Sequence, residues 1–476
     1  MNAVTYSEPD PARQRDLHNE DRVAQWFVVK LGTHEGEQAR LCVSDRFRQL
    51  CNPGISGSRW SSSVYPSFVS FIGDTGTGKS TLVRAMILMG QVNASGLPSL
   101  GGKLPEKEID KFRAIIAARI HGPVTRTANL NHLTDPTSLG VHLYKDITTS
   151  DPDRAPRSPN SRSNVTPILF ADCEGFGGGI AKTNSERTNS IIGSEDTDLN
   201  LLSDRPITSP GYGSQGKEGA ELFYARFLYA FSDVVVFVTK EDQRFQDNMQ
   251  RLLKWAASAV DKSVNHLAQK TLVIVRNMAN CHAVEFYNGQ FLKQAIFENL
   301  GPLWEGSPSL DDFRTKYNNK HRLLQRQIHT NRDFFAVFFQ AVEVCYIPDK
   351  AKAPMDQIFE QYQKLRMQID QASEAGQEVR SKSWTQYNIP TLSHLLNRAF
   401  EHFTTSEKPF DFYRAARKDN PDPVSVSDHV ANLLRHMQLS QGKVTKMFPQ
   451  VLSICLISCA LRNFEQGMGH LLISLT

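Results

Sequence analysis

From Pro66 onward the chain alternates short runs of adjoining apolar residues with stretches whose apolar positions recur at helical spacing. The runs PSFVSFIG (66–73), TPILFAD (166–172), DVVVFVT (233–239) and TLVIVRN (271–277) have the length and β-branched content of buried strands. Between them lie TLVRAMILM (81–89), ELFYARFLYAF (221–231) and QDNMQRLLKWAASAV (246–260). In the last of these, Met249, Leu252, Leu253, Ala256 and Val260 make one packing face. Strand, helix, strand in this order predicts an α/β fold, a mostly parallel sheet with helices on both faces, and Gly90 is placed to stop the first helix.

The same pattern sets the expected boundaries. Residues 1–21 are polar and predicted disordered, and Trp26 to Leu31 with Ala39 to Val43 predict a leading hairpin. The stretches 150–164 and 183–216 are rich in Ser, Asn, Pro and Gly and predict mobile insertions in a domain spanning 22–350. FFAVFFQAVEVCYIP (334–348) reads as one more strand. A helical region over 351–440 follows, carrying Met355, Ile358, Phe359, Tyr362 and Leu365 on one helix and Leu392, Leu395, Leu396, Ala399 and Phe400 on the next. The tail over 441–476 includes FPQVLSICLISCALRNF (448–464), whose apolar run of about 13 residues is short of the roughly 18 to 20 that span a bilayer, so a buried or interfacial segment is expected.

Composition narrows the function classes. With 54 Lys plus Arg against 50 Asp plus Glu in 476 residues, the net charge of +4 marks neither a nucleic-acid surface nor a membrane surface, and neither partner is expected. The seven cysteines are scattered without the paired spacing of a zinc site or redox dithiol, which predicts a reducing compartment. The opening MNAVTYSEPDPARQRDLHNED has no apolar stretch to serve as a signal peptide, and a cytoplasmic location is expected.

The chemistry is concentrated in Gly73-Asp74-Thr75-Gly76-Thr77-Gly78-Lys79-Ser80, a GxxxxGK[ST] run after a strand and before a helix that begins near Thr81. Glycines at those positions let successive amides turn toward phosphate oxygens, with the helix N-terminus behind them. Lys79 would neutralise phosphates, and Ser80 would place its hydroxyl on Mg²⁺. A later strand delivers Asp172-Cys173-Glu174-Gly175, a DxxG in which Asp172 would hold Mg²⁺ and the Gly175 amide would sense the terminal phosphate.

With these two motifs the chain resembles the GTPase class of P-loop proteins, and Asp172 to Phe176 resembles the DxEGx form of the guanylate-binding-protein, atlastin and dynamin-like branch. The resemblance covers about residues 66–350 and implies a G-domain-like fold, a Mg²⁺ cofactor and a switch threonine between the motifs. Thr125 and Thr137 are the candidates, with Thr137 favoured because the GVHLY after it reads as a strand.

Three departures qualify that resemblance. A literal [NT]KxD guanine reader, Thr239-Lys240-Glu241-Asp242, ends the strand before the one on which the family places it. At the expected place stand Asn277-Met278-Ala279-Asn280, or Arg276-Asn277, so an amide replaces the carboxylate and guanine selectivity should weaken. Phe176 stands where a water-orienting glutamine is common, and Gly76 where the guanylate-binding branch carries its arginine finger; Arg126 and Arg187 are the arginines that could substitute.

The sequence therefore predicts a P-loop nucleoside triphosphatase, a GTPase in preference to an ATPase, with slow basal hydrolysis that rises when an activating protein or a second copy orders residues 176–216. Lys79 and Thr137 are the expected catalytic groups, and Ser80, Thr137 and Asp172 the expected metal ligands. Gly73 through Thr81, Gly175, Arg276, Asn277 and Asn280 are the expected contacts to GTP or ATP. A non-hydrolysing scaffold, an ATPase and a membrane-remodelling assembly subunit are the alternatives.

Overall fold

The structure is a computed structural model. It describes residues 23–31, 38–51, 64–94, 123, 140–146, 166–176, 201–209, 216–240, 244–260, 263–264, 269–279, 289–322, 327–349, 351–382, 385–406, 408–417 and 453. By contacts the chain divides into 1–412 and 413–476, and the architecture below is that of the first unit.

In chain order its elements are β1 (Gln25–Lys30), β2 (Arg40–Ser44), α1 (Arg46–Cys51), β3 (Ser67–Gly73), α2 (Lys79–Ala94), β4 (Val141–Lys145), β5 (Ile168–Cys173) and β6 (Leu201–Pro206). There follow α3 (Gly216–Phe231), β7 (Val234–Lys240), α4 (Phe245–Val260), β8 (Ser263–Val264), β9 (Lys270–Ala279), α5 (Gly289–Gln294) and α6 (Pro308–Lys320). The unit ends with α7 (Asn331–Phe338), β10 (Phe339–Pro348), α8 (Met355–Lys382), α9 (Ile389–Thr405) and β11 (Phe410–Asp411). Among the described residues nine strands form one sheet in the order β10-β9-β7-β3-β5-β4-β1-β2-β6, and β11 pairs with β8 apart from it.

The sheet is mixed, which corrects the mostly parallel expectation. The block β10-β9-β7-β3-β5 is parallel throughout, while β5-β4, β4-β1, β1-β2 and β2-β6 are antiparallel. An apolar run carries no mark of strand direction, so the sequence could not separate the two halves. The halves do differ in burial: β3 and β5 are buried on both faces, whereas β2 exposes its first residue, Arg40, which pairs with Asp204 of β6. That last strand lies inside the stretch 183–216 read as a mobile insertion. Two leucines followed by Ser203, Asp204, Arg205 and Pro206 make an edge strand too short of apolar residues to stand out from a loop.

One face of the sheet is covered by α2 and α8. Val69, Phe71, Val236, Val238, Val273 and Phe170 pack there against Leu82, Val83, Met86, Leu365 and Ile369. The other face is aromatic: Trp26 of β1 and Phe68 of β3 stack with rings 5.7 Å apart, and Phe227 of α3 stacks on Phe400 of α9 at 4.3 Å. Burial of Leu82, Val83, Met86 and Met89 between the sheet and α8 supports α2 through Gly90 to Ala94, although glycine costs a helix about 1 kcal/mol. The run 334–348 divides into α7 and β10 because Thr330 and Asp333 form a capping box, which places Phe334, Phe335 and Phe338 on one helical face. The helices predicted around Met355 and Leu392 are present as α8 and α9.

Candidate functional site at the carboxyl ends of the parallel strands

The chain leaves β3 and turns to one side through α2 toward β4 and β5, and later places β7 on the other side of β3. In open α/β sheets such a switch point opens a crevice outside the carboxyl ends of the strands. Gly73 to Ser80 fills the turn from β3 into α2 at that point.

Sequence dictates the shape of this loop closely. Gly73, Gly76 and Gly78 have φ of +141°, +77° and +87°, the region that side chains disfavour. At Gly73 a Cβ would lie 2.1 Å from the Val238 carbonyl oxygen of β7. The Asp74 carbonyl accepts from the Thr77 hydroxyl at 2.8 Å and from Lys79 Nζ at 2.9 Å, and the Gly73 carbonyl accepts from Lys79 Nζ at 3.0 Å. Lys79 is thereby drawn under the loop, where burial lowers its pKa and the charge of Asp172 partly opposes that shift. Thr81 is exposed on the first turn of α2.

Asp172 lies near the carboxyl end of β5, buried, and its Oδ2 accepts from the Ser80 hydroxyl at 2.6 Å. The two residues predicted to share a metal are therefore in direct contact. Gly175 sits so close to Thr75 that a Cβ would meet its Oγ1 at 2.4 Å and its Cα at 2.5 Å. Beyond it, Phe176 is buried, its amide donating to the Gly73 carbonyl at 3.0 Å and its carbonyl accepting from the Thr75 amide at 3.2 Å. The DxxG arm thus pairs with the loop as a one-residue strand extension between Asp74 and Phe176. Glu174 grips Gly140 at the start of β4: its amide donates to the Gly140 carbonyl at 2.7 Å, and its Oε2 accepts from the Gly140 amide at 3.0 Å.

The amide proposed to face a base does something else. Asn277 of β9 donates through Nδ2 to the Thr77 carbonyl at 2.8 Å, and the same nitrogen lies 2.5 Å from where a Cβ on Gly78 would be. It braces the loop from behind. Arg276 points to the opposite side of β9, its guanidinium 4.6 Å from the Phe245 ring centre and 4.9 Å from that of Tyr346. Met278 follows at φ +55°, 42% exposed, with its methyl near Gly78. At the end of β7, Thr239 is buried and accepts from Asn248 of α4 at 2.8 Å, so it fixes the strand to the helix. Thr125, Arg126, Thr137, Arg187, Asp242 and Asn280 lie outside the described residues.

The structure adds two cations that the motifs left unassigned. Arg251 of α4 pairs with the Asp74 carboxylate, and Lys240 of β7 reaches over Gly76. Arg251 had only its place on the polar face of α4 as a signal, while Lys240 was absorbed into the base-reader reading.

Chemically, the assembly offers backbone amides at a helix N-terminus, a buried lysine and a hydroxyl–carboxylate pair, a set suited to an anion with a hard cation beside it. Among the described residues no group of three or more His, Cys, Asp or Glu could hold a metal by itself. The Ser80–Asp172 pair would fit Mg²⁺ in the way that ion is commonly held, by one carboxylate with the remaining oxygens from phosphate and water. No described helix is long and apolar enough to cross a membrane.

No family model matches this chain, and no curated protein matches it. Among solved structures it is similar to the S. cerevisiae Ski7 GTPase-like domain bound to GTP, with 14% identity and a TM-score of 0.24 over 65% of this chain and 51% of that one. The chain thus spans about half the length of that structure, a likeness too slight to bear on the site, which rests on its own geometry.

Proposed function

We propose that this protein is a P-loop nucleoside-triphosphate-binding switch that takes GTP with Mg²⁺ and hydrolyses it slowly. The observation that carries the reading is the convergence on one strand-loop-helix turn of a buried lysine, Lys79, and a hydroxyl–carboxylate pair, Ser80 with Asp172. In this reading the loop amides and Lys79 bind the phosphates, and Lys79 exchanges the carbonyls of Gly73 and Asp74 for phosphate oxygens. Mg²⁺, held by Ser80 and Asp172 with Thr137, would supply charge neutralisation of the phosphates. Glu174 holds the start of β4 beside this pair, and Asn277 keeps the loop in its open-amide shape. Since Asn277 and Arg276 are engaged elsewhere, Asn280 remains as the base contact, with Asp242 of the literal [NT]KxD run as the alternative.

Slow turnover follows from Phe176, whose ring offers no hydrogen bond to a water and whose backbone is fastened to the loop. The same observation favours a second reading, a nucleotide-binding scaffold that does not hydrolyse. Binding of labelled GTP, GDP and ATP to the native protein and to Lys79→Ala tests the proposal. Lys79→Ala should reduce triphosphate affinity by about 100-fold or more, the loss of a charge-assisted contact to several phosphate oxygens. Equal affinity in the two proteins refutes it, and single-turnover phosphate release separates switch from scaffold.

A further inference from the structure

Among the described residues, the acidic side chains around the loop each have a partner, and one lysine side chain has none. Asp74 is paired with Arg251, Asp172 faces Ser80 and lies nearest Lys79 in charge, and Glu174 holds Gly140. That lysine is Lys240. It is exposed at the last position of β7, where its carbonyl accepts from the Thr239 hydroxyl at 3.2 Å, and its ammonium makes no ion pair or hydrogen bond among the described residues. Its ammonium lies 4.0 Å from where a Cβ on Gly76 would be, and Gly76 is itself exposed.

Strand periodicity sends the side chain there. Val234, Val236 and Val238 of β7 face the core shared with α2, and Thr239 points to the other face, where Asn248 of α4 holds it. Lys240 therefore returns to the α2 side; still paired with Asn277 of β9 but beyond the last pairing of β7 with β3, Val238 with Gly73, it arrives over the loop. Lys79 is occupied beneath the loop by two carbonyls and Arg251 by the Asp74 carboxylate, so Lys240 brings to the outer surface of the turn a cation with no side-chain partner among the described residues.

We propose that Lys240 is a second phosphate-binding cation, contacting the polyphosphate chain of the ligand from outside the loop while Lys79 contacts it from within. This rests on reading the loop as a phosphate site. A triphosphate brings roughly four negative charges, of which Lys79 and a divalent cation offset about three, so an exposed ammonium at this distance has an electrostatic role left to fill.

The test uses the full chain and a fluorescent GTP analogue, displaced either by GTP or by inorganic tripolyphosphate, which has phosphates and no base. Lys240→Gln should weaken both competitors by about five- to tenfold at low salt, Lys240→Arg should stay within about twofold of native, and the loss should shrink as salt screens the charge. Three results overturn the proposal. They are native affinity of Lys240→Gln for both competitors; loss of GTP but not of tripolyphosphate, which makes Lys240 a base contact; and failure of Lys240→Arg as severe as that of Lys240→Gln, which makes its role one of packing. Lys79→Ala run alongside keeps the two claims apart: if it binds normally the phosphate reading fails, and if it alone loses binding that reading stands without Lys240.

Discussion

At the carboxyl ends of β3, β5, β7 and β9 the charged side chains meet a loop, whereas at the amino ends of the same strands, among the described residues, they meet each other. The amino-end groups come largely from α8. Arg366 is buried against Asp146, just past β4, and also donates to the Met86 carbonyl of α2 at 2.8 Å. Arg380 is buried against Asp233, whose other oxygen accepts from the Phe68 amide at the start of β3. Every one of these bonds joins residues far apart in sequence, and together they fasten α8 along the sheet. At the carboxyl end most bonds run to backbone: Lys79 to two carbonyls, Asn277 to Thr77, Glu174 to Gly140. Burial of charge therefore does not mark function here. The proposed site is distinguished by a lysine, Lys79, whose described hydrogen bonds run to loop carbonyls and not to a carboxylate.

The comparison breaks most plainly if amino-end charges prove dispensable. Asp146→Ala leaves Arg366 buried with Asp370 and the Met86 carbonyl as its partners, and should cost about 3 kcal/mol, the lower end for breaking a buried pair, because that compensation remains. Asp146→Leu with Arg366→Met should recover most of it, since two apolar side chains leave no charge unpaired. Urea denaturation measures both, and the folded fraction of each variant should bind nucleotide as the native protein does. A loss of affinity without a loss of stability would mean that this end belongs to the site.

The next largest effect is expected at the carboxyl end. Gly175→Ala places a methyl group against Thr75 Oγ1 and the Thr75 backbone, which should cost about 2 kcal/mol and part Phe176 from the loop. Here stability and nucleotide affinity should fall together, the reverse of the Asp146 pattern. Thr75→Gly should rescue only in part, because it removes the hydroxyl contact and keeps the contacts to Cα and N. Native values in both measurements for Gly175→Ala would show that the close approach of arm and loop has no bearing on binding.

How far each end was legible in the sequence follows from the kind of bond that builds it. The loop could be read because Gly73, Gly76, Gly78, Lys79 and Ser80 act within a few residues of each other, and short-range geometry leaves a spacing. Asp172 was legible for a similar reason, standing at a strand end before a DxxG. Asn277 was legible as a residue of the site but not in its task, since nothing local says that its amide will meet Thr77 and not a base. The amino end left no trace: Arg366, Asp146, Arg380 and Asp233 read as ordinary surface charges until the fold joins them. Strand direction was hidden too, because β4 and β5 have similar apolar runs and pair antiparallel through bonds that the side-chain pattern does not encode.

The smallest effect concerns Lys270, at the amino end of β9, and it sharpens the comparison by pH. Its side chain is buried, with Nζ 4.7 Å from the ring centre of Tyr229 on α3, and with Arg380 of α8 and Asp233 before β7 as the charged groups that act on it. Burial pushes its pKa down to about 7, Arg380 pushes it further the same way, and Asp233 acts against both. In the unfolded chain Lys270 keeps its proton to about pH 10.4, so between about pH 7 and 10 the unfolded state binds more protons and this residue makes stability rise with pH. Below about pH 7 both states are protonated, the slope vanishes, and the full cost of burying the ammonium is present. Lys270→Met should therefore be more stable than the native protein at neutral pH and lose about 1 kcal/mol of that advantage between pH 7 and 8. Tyr229 does not complicate the window, because burial raises its own pKa well out of it. Urea midpoints at three pH values decide the matter: parallel curves for the two proteins would mean that Lys270 stays charged in the fold, held by Asp233 as the other amino-end cations are held by their partners.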